Sequence, residues 1–305
     1  MSYHILHILT HGSLLARERG MLVCRPKTGE AETTPTSGEV PKLPLEDIRA
    51  VVIAARGVTL TSSAVAGVLE QDGILLHCDS RYAPIGVTAP LPRVIDATAY
   101  LHQAKQPKVL NRQVWNKLLI GKTTNQQAAL RELGLSSAHL VRALKTGRID
   151  EGNCARRYWQ LFFPAIGWQG SSRDQTADNP PNLMLNYGYT VLATLCHRAL
   201  LIHGLSPLLG VGHVPRYRAD ALVYDLMEPY RPFVDQMLAI FLAENEQSDM
   251  TTWGRHVGRE LRDRRVSHKR YSLKLMDAID KSASTLNRCY KERQVAPLWY
   301  PSLAG

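Results

Sequence analysis

The hydrophobic pattern of this 305-residue chain changes its period near residue 96. Before that point, short apolar or alternating runs are separated by turn-forming residues, which is typical of β-strands. After it, apolar residues recur over long stretches at helical spacing, and prolines and glycines gather in the connections. The change predicts an α+β protein, with a small β-rich N-terminal domain over residues 1–95 and a larger α-helical domain over residues 96–305.

The pattern also predicts individual elements. Strands are predicted at residues 3–8, 21–24, 50–53, 74–78 and 84–87, and a helix at 62–73. The turn-rich segment 34–44 predicts a loop at a strand connection. In the second domain, helices are predicted at residues 99–121, 125–133, 137–146, 153–163, 183–203, 232–242, 253–263 and 272–291.

Charge is segregated along the chain, whose formal net charge is +10. Residues 101–148 carry a net +8 and residues 255–293 a net +7, whereas residues 149–254 between them carry −4. A catalytic cation needs an acid-rich segment, and a phosphate backbone favours basic ones. We therefore expect a polyanionic substrate. The alternative is that the lysines and arginines only solvate helix faces.

Several features bear on the compartment. The five cysteines are widely spaced and form no CxxC pair, which argues for a reducing compartment and against a zinc ribbon or disulfide framework. The start, MSYHILHILTHG, lacks the regions of a signal peptide. The longest apolar stretch, residues 183–202, includes Asn186, His197 and Arg198, so it predicts a buried helix and not a membrane span. We expect a cytoplasmic protein with no membrane partner.

Two carboxylates and one imidazole stand in distinctive local sequences. Glu151 lies in GRIDEGNCARRYW, His213 in GLSPLLGVGHVPRYR and Glu228 in ALVYDLMEPYRPFVDQ. Such a set can ligate a hard or borderline divalent cation and leave positions open for substrate oxygens. A cation held there can polarise a phosphoryl oxygen during a phosphodiester exchange.

Each of these residues also has a structural explanation. A carboxylate at a helix start, as at Glu151, complements the helix dipole, and a loop histidine such as His213 is usually solvated or hydrogen-bonded. Asp225 lies three residues before Glu228, so on a helix the two acids share a face and repel each other unless a cation or base lies between them. The alternatives to a metal there are salt bridges to Arg216, Arg218 or Arg231.

Basic side chains near these positions predict contacts with a phosphate backbone. The arginines that flank the acids could clamp phosphate through bidentate contacts or pair with nearby acids; they are Arg156, Arg157, Arg216 and Arg218. The densest basic run, residues 258–276, adds Arg262, Arg264, Arg265, Lys269 and Arg270. No base-reading motif or P-loop accompanies them, which favours backbone binding over sequence reading.

Five ordered segments between residues 118 and 236 carry a family resemblance. LLIGKTTNQQAALREL (118–133) is similar to a KxxNQxxLL helix, and IDEGNCARRYW (149–159) to an EGxxARxYW motif. NLMLNYGYTVL (182–192) is similar to NxxLNYGYxxL, GLSPLLGVGH (204–213) to GLxPxxGxxH, and YDLMEPYRPFVD (224–235) to DLMExxRPxxxD. Together they resemble the CRISPR-associated adaptation integrase family. Gly212 departs from the family's usual bulkier apolar residue, and residues 171–181 keep only Arg173 of its clustered arginines.

The resemblance implies a site and an assembly. Glu151, His213 and Glu228 would hold Mg²⁺ or Mn²⁺, and Asp225 would act as a fourth catalytic residue that assists them. The N-terminal domain would be a dimerising β-sandwich and the second domain an all-α catalytic domain. The homodimer would join a small ferredoxin-like adaptation protein in a heterohexamer, in which two integrase dimers flank one partner dimer, and would bind double-stranded DNA in the cytoplasm of a prokaryote.

The activity implied is that of a metal-dependent DNA integrase and endonuclease in antiviral spacer acquisition. A 3′-hydroxyl of the captured fragment would attack a phosphodiester in the CRISPR repeat, and the metal would stabilise charge on the phosphoryl oxygens. The alternatives are a hydrolytic nuclease that uses the same site and a catalytically silent DNA-binding scaffold. Asp225 is expected to play a supporting role, by binding a metal-bound water or by orienting Arg216 or His213.

Overall fold

The computed structural model describes residues 4–26, 42–91, 97–147, 149–170, 172–213, 220–245, 249–268 and 271–303. The chain divides into two compact units, Met1–Leu91 and Pro92–Gly305. Strands dominate the first unit and helices the second, so the α+β class predicted from the change of period is confirmed.

The first unit is built from short strands and one helix in its described residues. In chain order these are β1 (His4–Ile8), β2 (Ser13–Glu18), β3 (Met21–Pro26), β4 (Lys42–Pro44), β5 (Ile48–Ile53), β6 (Thr59–Leu60), α1 (Ser62–Glu70), β7 (Ile74–Cys78) and β8 (Pro84–Thr88). A 3₁₀ turn, Leu45–Asp47, precedes β5. The N-cap residue Thr61 fixes the start of α1, because its side chain accepts a hydrogen bond from the backbone of Ala64.

The strands form two sheets in the described part of this unit. The first has the order β1-β5-β7-β8, in which β1, β5 and β7 are parallel and β8 is antiparallel to β7. The second has the order β4-β3-β2-β6. Strand β5, IRAVVI, is apolar on both faces, as expected for a central parallel strand.

One hydrophobic core is shared by both sheets and α1. Its buried members are Ile8, Leu15, Leu22, Leu45, Ile48, Val51, Ile53, Ala64, Val68 and Leu75. Because residues from the two sheets pack into the same core, the unit is a β-sandwich, as the resemblance implies. The predicted loop over residues 34–44 is wrong for its last three residues, which form the edge strand β4 beside β3. Proline cannot donate a ladder hydrogen bond, but an edge strand has one side without a neighbouring strand, so Pro44 is tolerated here.

The second unit is mainly helical in its described residues. Its helices are α2 (Ala97–Ala104), α3 (Lys108–Glu132), α4 (Ala138–Thr146), α5 (Glu151–Ala165), α6 (Pro180–Ile202), α7 (Ala221–Met227), α8 (Arg231–Glu244), α9 (Met250–Asp263) and α10 (Leu275–Glu292). A 3₁₀ turn, Glu228–Tyr230, joins α7 to α8. Two antiparallel strands, β9 (Arg265–His268) and β10 (Tyr271–Lys274), lie between α9 and α10.

Helix α6 forms the centre of this unit. It begins after Asn179, whose side chain accepts the backbone N–H of Asn182, and prolines occupy its first positions. It packs against α7, α8, α9 and α10 and is buried around most of its circumference. This confirms the buried helix predicted from residues 183–202. No helix within the described ranges is long and apolar enough to cross a membrane.

Helix α3 organises the candidate site. The sequence predicts two helices here, 99–121 and 125–133, but α3 runs unbroken through residues 121–125. It contacts α4, α5, α7, α8 and the 3₁₀ turn at residues 228–230. Its buried Asn125 fixes that turn, because Nδ2 donates to the carbonyl oxygens of Pro229 at 2.7 Å and Pro301 at 3.1 Å. The backbone N–H of Leu303 donates back to Asn125 Oδ1 at 2.8 Å.

Candidate functional site

The start of α5 presents Glu151 toward α3. The neighbouring Asp150 caps the helix, because its carboxylate accepts hydrogen bonds from the backbone N–H of Asn153 at 3.0 Å and from its side chain at 2.6 Å. Glu151 is therefore not needed as the cap. Its Oε1 accepts a hydrogen bond of 2.8 Å from Lys122 Nζ on α3.

Lys122 joins two of the predicted ligands. Its ammonium lies 2.8 Å from Glu151 Oε1 and 2.6 Å from Glu228 Oε2. The two carboxylate oxygens are therefore separated by no more than the sum of those distances. The Lys122 and Glu228 side chains are 12% and 2% exposed, whereas Glu151 is 40% exposed. The carboxylates thus meet around one cationic group, with Glu228 at the buried end.

Glu228 is ionised despite its burial. Its Oε1 accepts a hydrogen bond of 2.8 Å from Arg231 Nε, so one of the arginines expected as an alternative partner is present. Burial alone would raise the pKa of Glu228, but the charge of Arg231 and then that of Lys122 outweigh it and lower the pKa to about 2. The side chain is held as a carboxylate at neutral pH.

Asp225 is enclosed by the loop that precedes His213. Its carboxylate accepts the backbone N–H groups of Val211, Gly212 at 3.1 Å and His213 at 2.9 Å. Its Oδ1 also lies 2.7 Å from Nδ1 of His213. The side chain is fully buried, so these donors replace the water that a buried carboxylate loses.

This contact orients His213 in the way that a supporting role for Asp225 requires. With Nδ1 bonded to Asp225, Nε2 is the ring nitrogen available for a metal. The ring also meets Trp115 edge-on, with centroids 5.5 Å apart. The hydrogen bond that His213 Nδ1 donates to Asp225 raises the pKa of His213, burial opposes this, and the charges of Asp225 and Glu228 add to the rise. Arg216, the other expected partner of Asp225, lies outside the described residues.

The three predicted metal ligands do not form one closed cluster. Within the described ranges, no group of three His, Cys, Asp or Glu side chains is close enough to hold a metal ion. Glu151 and Glu228 are brought together, but the ammonium of Lys122 lies between their oxygens. The convergence of all three ligands therefore stays a prediction.

The donor set still fits a hard divalent cation. Glu228 Oε2 is buried and accepts no hydrogen bond from the described residues, although Lys122 Nζ is 2.6 Å away. The ammonium balances the charge of this oxygen and can fill at most one of its lone pairs. An ionised carboxylate oxygen with a remaining lone pair, close to a second carboxylate, is a suitable ligand for Mg²⁺ or Mn²⁺.

A second polar network, formed by Asp235, Tyr158 and Tyr189, is linked to Glu228 through Arg231. Asp235 accepts hydrogen bonds from Tyr158 Oη at 2.9 Å and from Tyr189 Oη, and burial raises the pKa of Asp235 to about 6. The guanidinium of Arg231 lies over the Tyr189 ring, 4.8 Å from its centroid. Arg231 is therefore fixed by Tyr189 while it binds Glu228.

The local sequence does not connect Lys122, Tyr158, Tyr189 or Asp235 with the carboxylates of the candidate site. A signal was available, because all four lie inside the segments that carry the family resemblance. Their roles come from contacts between elements far apart in the chain, which local spacing does not encode.

The predicted DNA-binding residues have varied surroundings. Arg156 and Arg157 are exposed on α5, and Arg156 donates to Asn153 at 2.6 Å. Arg262 pairs with Asp263 at 2.6 Å, and Arg265 donates to Ser272 across the β9–β10 hairpin. The predicted residues Arg216, Arg218, Lys269 and Arg270 lie outside the described residues.

Arg264 fits phosphate binding less well than its neighbours. Its side chain is 17% exposed, forms a 3.0 Å ion pair with Glu260 and donates to Gln236. Further exposed cations lie on α4, where Arg142 and Lys145 share one face. Helix α4 ends at Thr146 and α5 begins at Glu151, so this basic face is close in sequence to the candidate site.

The fold and the polar site define a class of protein: a β-sandwich unit and a helical unit that gathers two carboxylates around a lysine ammonium. Solved structures share this fold. A casposase bound to integration product has a TM-score of 0.80 at 19% identity, covering 96% of this chain and 92% of that one. A Cas6-RT-Cas1–Cas2 complex gives a TM-score of 0.71 at 18% identity, covering 98% of this chain and 36% of that one.

Sequence comparison then identifies the family. The family model described as CRISPR associated protein Cas1 matches residues 6–260. The chain therefore belongs to the Cas1 family, as the five segments predicted. It is also 26% identical over 311 residues to a CRISPR-associated endonuclease Cas1 of Neisseria meningitidis serogroup C (strain 8013), covering 99% of this chain and 97% of the relative.

Proposed function

We propose that this chain is a metal-dependent DNA integrase and endonuclease of CRISPR adaptation. The observation that carries the proposal is the meeting of Glu151 and Glu228, which come from different segments, around a single cationic group. Membership of the Cas1 family supports it. The Neisseria relative is called an endonuclease, and the casposase of the same fold is bound to an integration product.

The residues of the site have distinct roles in this proposal. Glu151, Glu228 and Nε2 of His213 would hold Mg²⁺ or Mn²⁺, which when bound supplies charge to polarise a phosphoryl oxygen. Asp225 fixes the His213 ring through Nδ1. Arg231 keeps Glu228 ionised and is itself positioned by Tyr189.

The proposed reaction is a transesterification. The 3′-hydroxyl of a captured DNA fragment attacks a phosphodiester of the CRISPR repeat and loses its proton. A new phosphorus–oxygen bond forms as the old one breaks, and the displaced 3′-oxygen takes up a proton and becomes a 3′-hydroxyl. The exposed arginines and lysines would hold the two DNA backbones for in-line attack.

The assembly also belongs to the proposal. We expect a homodimer that joins a small ferredoxin-like adaptation protein in a heterohexamer and binds double-stranded DNA. The support is the match to a chain of a Cas6-RT-Cas1–Cas2 complex.

Strand joining on a plasmid that carries a CRISPR repeat tests the activity. With Mn²⁺, the wild-type protein should join a labelled fragment to the plasmid, whereas Glu151→Gln, His213→Ala and Glu228→Gln should not. Glu132→Gln removes an exposed acid at the end of α3 and is the matched control. Normal joining by His213→Ala would refute the assignment of this residue.

Asp225→Asn separates a supporting residue from a ligand. Because Asp225 contacts His213 and is not one of the carboxylates that Lys122 joins, its substitution should cost about 10–100-fold in activity or metal affinity. Activity should recover in part at raised Mn²⁺ concentration for Asp225→Asn but not for Glu228→Gln. Equal, unrescued losses would make Asp225 a direct ligand.

Two alternatives have definite outcomes in the same assay. A hydrolytic nuclease that uses this site would shorten strands without joining them. A catalytically silent DNA-binding scaffold is favoured by one observation, the ion pairs that Lys122 makes with both Glu151 and Glu228. A scaffold would bind DNA but show no Mn²⁺ affinity that depends on Glu151.

A further inference from the structure

Lys122 occupies the position between the carboxylates that a bound cation would use. We propose that Lys122 is a tethered counter-cation of the Glu151–Glu228 pair, which competes with the divalent metal and, once displaced, binds the phosphate of the DNA substrate. The inference rests on the proposed metal site and adds to it an exchange between two cations.

The burial of the site explains why a tethered cation is needed. Glu228 is 2% exposed and Lys122 12% exposed, and buried charges require partners. Glu228 and Glu151 lie on either side of the ammonium, so without it they would repel each other across a short, poorly solvated gap. Lys122 therefore holds the carboxylates in a ligand-like arrangement before a metal arrives.

The geometry makes the two cations exclusive. The ammonium uses Oε1 of Glu151 and Oε2 of Glu228, the oxygens that face each other. A divalent ion bound by the same oxygens would repel an ammonium that remained in contact with them. Metal binding must therefore move the ammonium away from at least one carboxylate.

Lys122 is better suited than Arg231 to exchange one partner for another. The guanidinium of Arg231 is held by Glu228 Oε1 at 2.8 Å and by the ring of Tyr189. Lysine carries a compact charge on a flexible four-carbon stem with no planar fork to satisfy. Arg231 therefore stays as the permanent partner of Glu228, and Lys122 is the exchangeable one.

The displaced ammonium needs a new anion, and the substrate supplies one. A non-bridging phosphate oxygen of the phosphodiester bound at this site is an anion that can accept a charge-assisted hydrogen bond from the lysine. Metal and DNA should then assist each other, since DNA stabilises the lysine that the metal displaces. This predicts that Mn²⁺ binds more tightly in the presence of DNA, and that the coupling depends on Lys122.

Mn²⁺ titration followed by electron paramagnetic resonance tests the exchange directly. Lys122→Met removes the charge and keeps the stem, so the variant should bind Mn²⁺ more tightly than wild type, on the order of tenfold, the size of a charge-assisted contact. It should also lose the enhancement by DNA. Lys108→Met, an exposed lysine on the same helix, is the control and should match wild type in Mn²⁺ affinity.

The outcomes separate this inference from the proposed function. Equal or weaker Mn²⁺ binding by Lys122→Met, with wild type binding in a Glu151-dependent manner, overturns the exchange and leaves the metal site standing. Absence of Mn²⁺ binding in wild type overturns both.

A second measurement does not depend on the folding of the variant. In wild-type protein with ¹⁵N-labelled lysine, Mg²⁺ should shift the ammonium signal of Lys122. The signal of Lys117, which donates to the carbonyl oxygens of Val295 and Ala296, should not move. An unmoved Lys122 signal at saturating Mg²⁺ overturns the exchange.

Discussion

Gly212 is a position where a single methyl group should disturb the site. It precedes His213 and donates its backbone N–H to Asp225 at 3.1 Å. A Cβ built on Gly212 would lie 2.2 Å from Cδ2 and from Cε3 of Trp115. The neighbour is the face of a rigid double ring, so the loop or the whole indole must move by at least about 1 Å to regain ordinary contact.

Two magnitudes follow for Gly212→Ala. Overpacking of this kind typically costs about 1–3 kcal/mol of unfolding free energy. The loop that moves also carries His213, and a misplacement of about 1 Å in a catalytic group can cost about 100-fold in rate. We expect the variant to fold with reduced stability in urea and to join strands about 100-fold more slowly.

A double-mutant cycle gives the sharper assay. Trp115→Leu opens space beside residue 212, so Gly212→Ala should cost less in that background, with a coupling energy of about 0.5–3 kcal/mol. The ¹³C signals of the His213 ring should shift in Gly212→Ala and move back in the double variant. Gly86→Ala is the control, because a Cβ at Gly86 meets nothing within 4 Å.

Additive effects of Gly212→Ala and Trp115→Leu on the unfolding free energy would contradict this prediction. If the two substitutions destabilise the protein independently, or if Gly212→Ala matches wild type in stability and strand joining, Trp115 does not determine the position of His213. Coupling would also explain the departure of Gly212 from the bulkier residue usual in the family, because Trp115 already fills that space.

Three further predictions follow from the described contacts. Asn125→Ala leaves the backbone partners of a buried amide unpaired, so urea unfolding should show a loss of about 2–4 kcal/mol; a loss below about 1 kcal/mol would contradict it. Because burial raises the pKa of Asp235 to about 6, the contribution of Asp235 to stability should fall as pH rises from about 4 to 6. Asp235→Asn lacks this loss and should gain about 2 kcal/mol relative to wild type across that range. A constant difference between the two proteins would show that Asp235 has an ordinary pKa. Reversing the charges of Arg142 and Lys145 should weaken DNA binding and reduce the slope of log affinity against log salt by about 0.9 for each phosphate that is no longer neutralised; an unchanged slope would place the DNA elsewhere.

The sequence predicts the larger features of the fold because they depend on local periodicity. The change of period near residue 96 predicts the α+β class, and the apolar stretch at 183–202 predicts the buried helix α6. The shortest strands, Lys42–Pro44 and Thr59–Leu60, have too few residues to show an alternating pattern. They exist because β3 and β2 offer them backbone hydrogen-bonding edges.

In the basic run at residues 258–276, the local sequence predicts neither the strand β10 nor the differing surroundings of the arginines. The sequence predicts a helix from residue 272, but residues 271–274 form β10 and the helix begins at Leu275. The pairing of Leu273 with Val266 across the hairpin depends on residues beyond the helix itself. The charge count treated every arginine in this run alike, yet Arg264 turns toward Glu260 and Gln236.

The candidate site likewise contains residues that the sequence predicts and residues that it does not. Glu151, His213 and Glu228 stand out in sequence, because carboxylates and imidazole in unusual surroundings invite a chemical explanation. The residues that determine their state do not stand out. The donors to Asp225 are largely backbone N–H groups, which carry no sequence identity, and Lys122 resembles any other lysine in a basic segment.

The charges around Glu228 alternate in sign, and this order governs how substitutions there should be interpreted. Glu151, Lys122, Glu228 and Arg231 form a continuous series of ion pairs. Glu228→Gln alone leaves two partly buried cations, Lys122 and Arg231, without their shared partner, so a loss of activity has two explanations: a missing ligand or a disturbed charge balance. Adding Lys122→Met removes one of those cations. If the double variant regains stability in urea and still binds no Mn²⁺, Glu228 acts as a ligand; if Mn²⁺ binding returns with stability, its role is to balance charge.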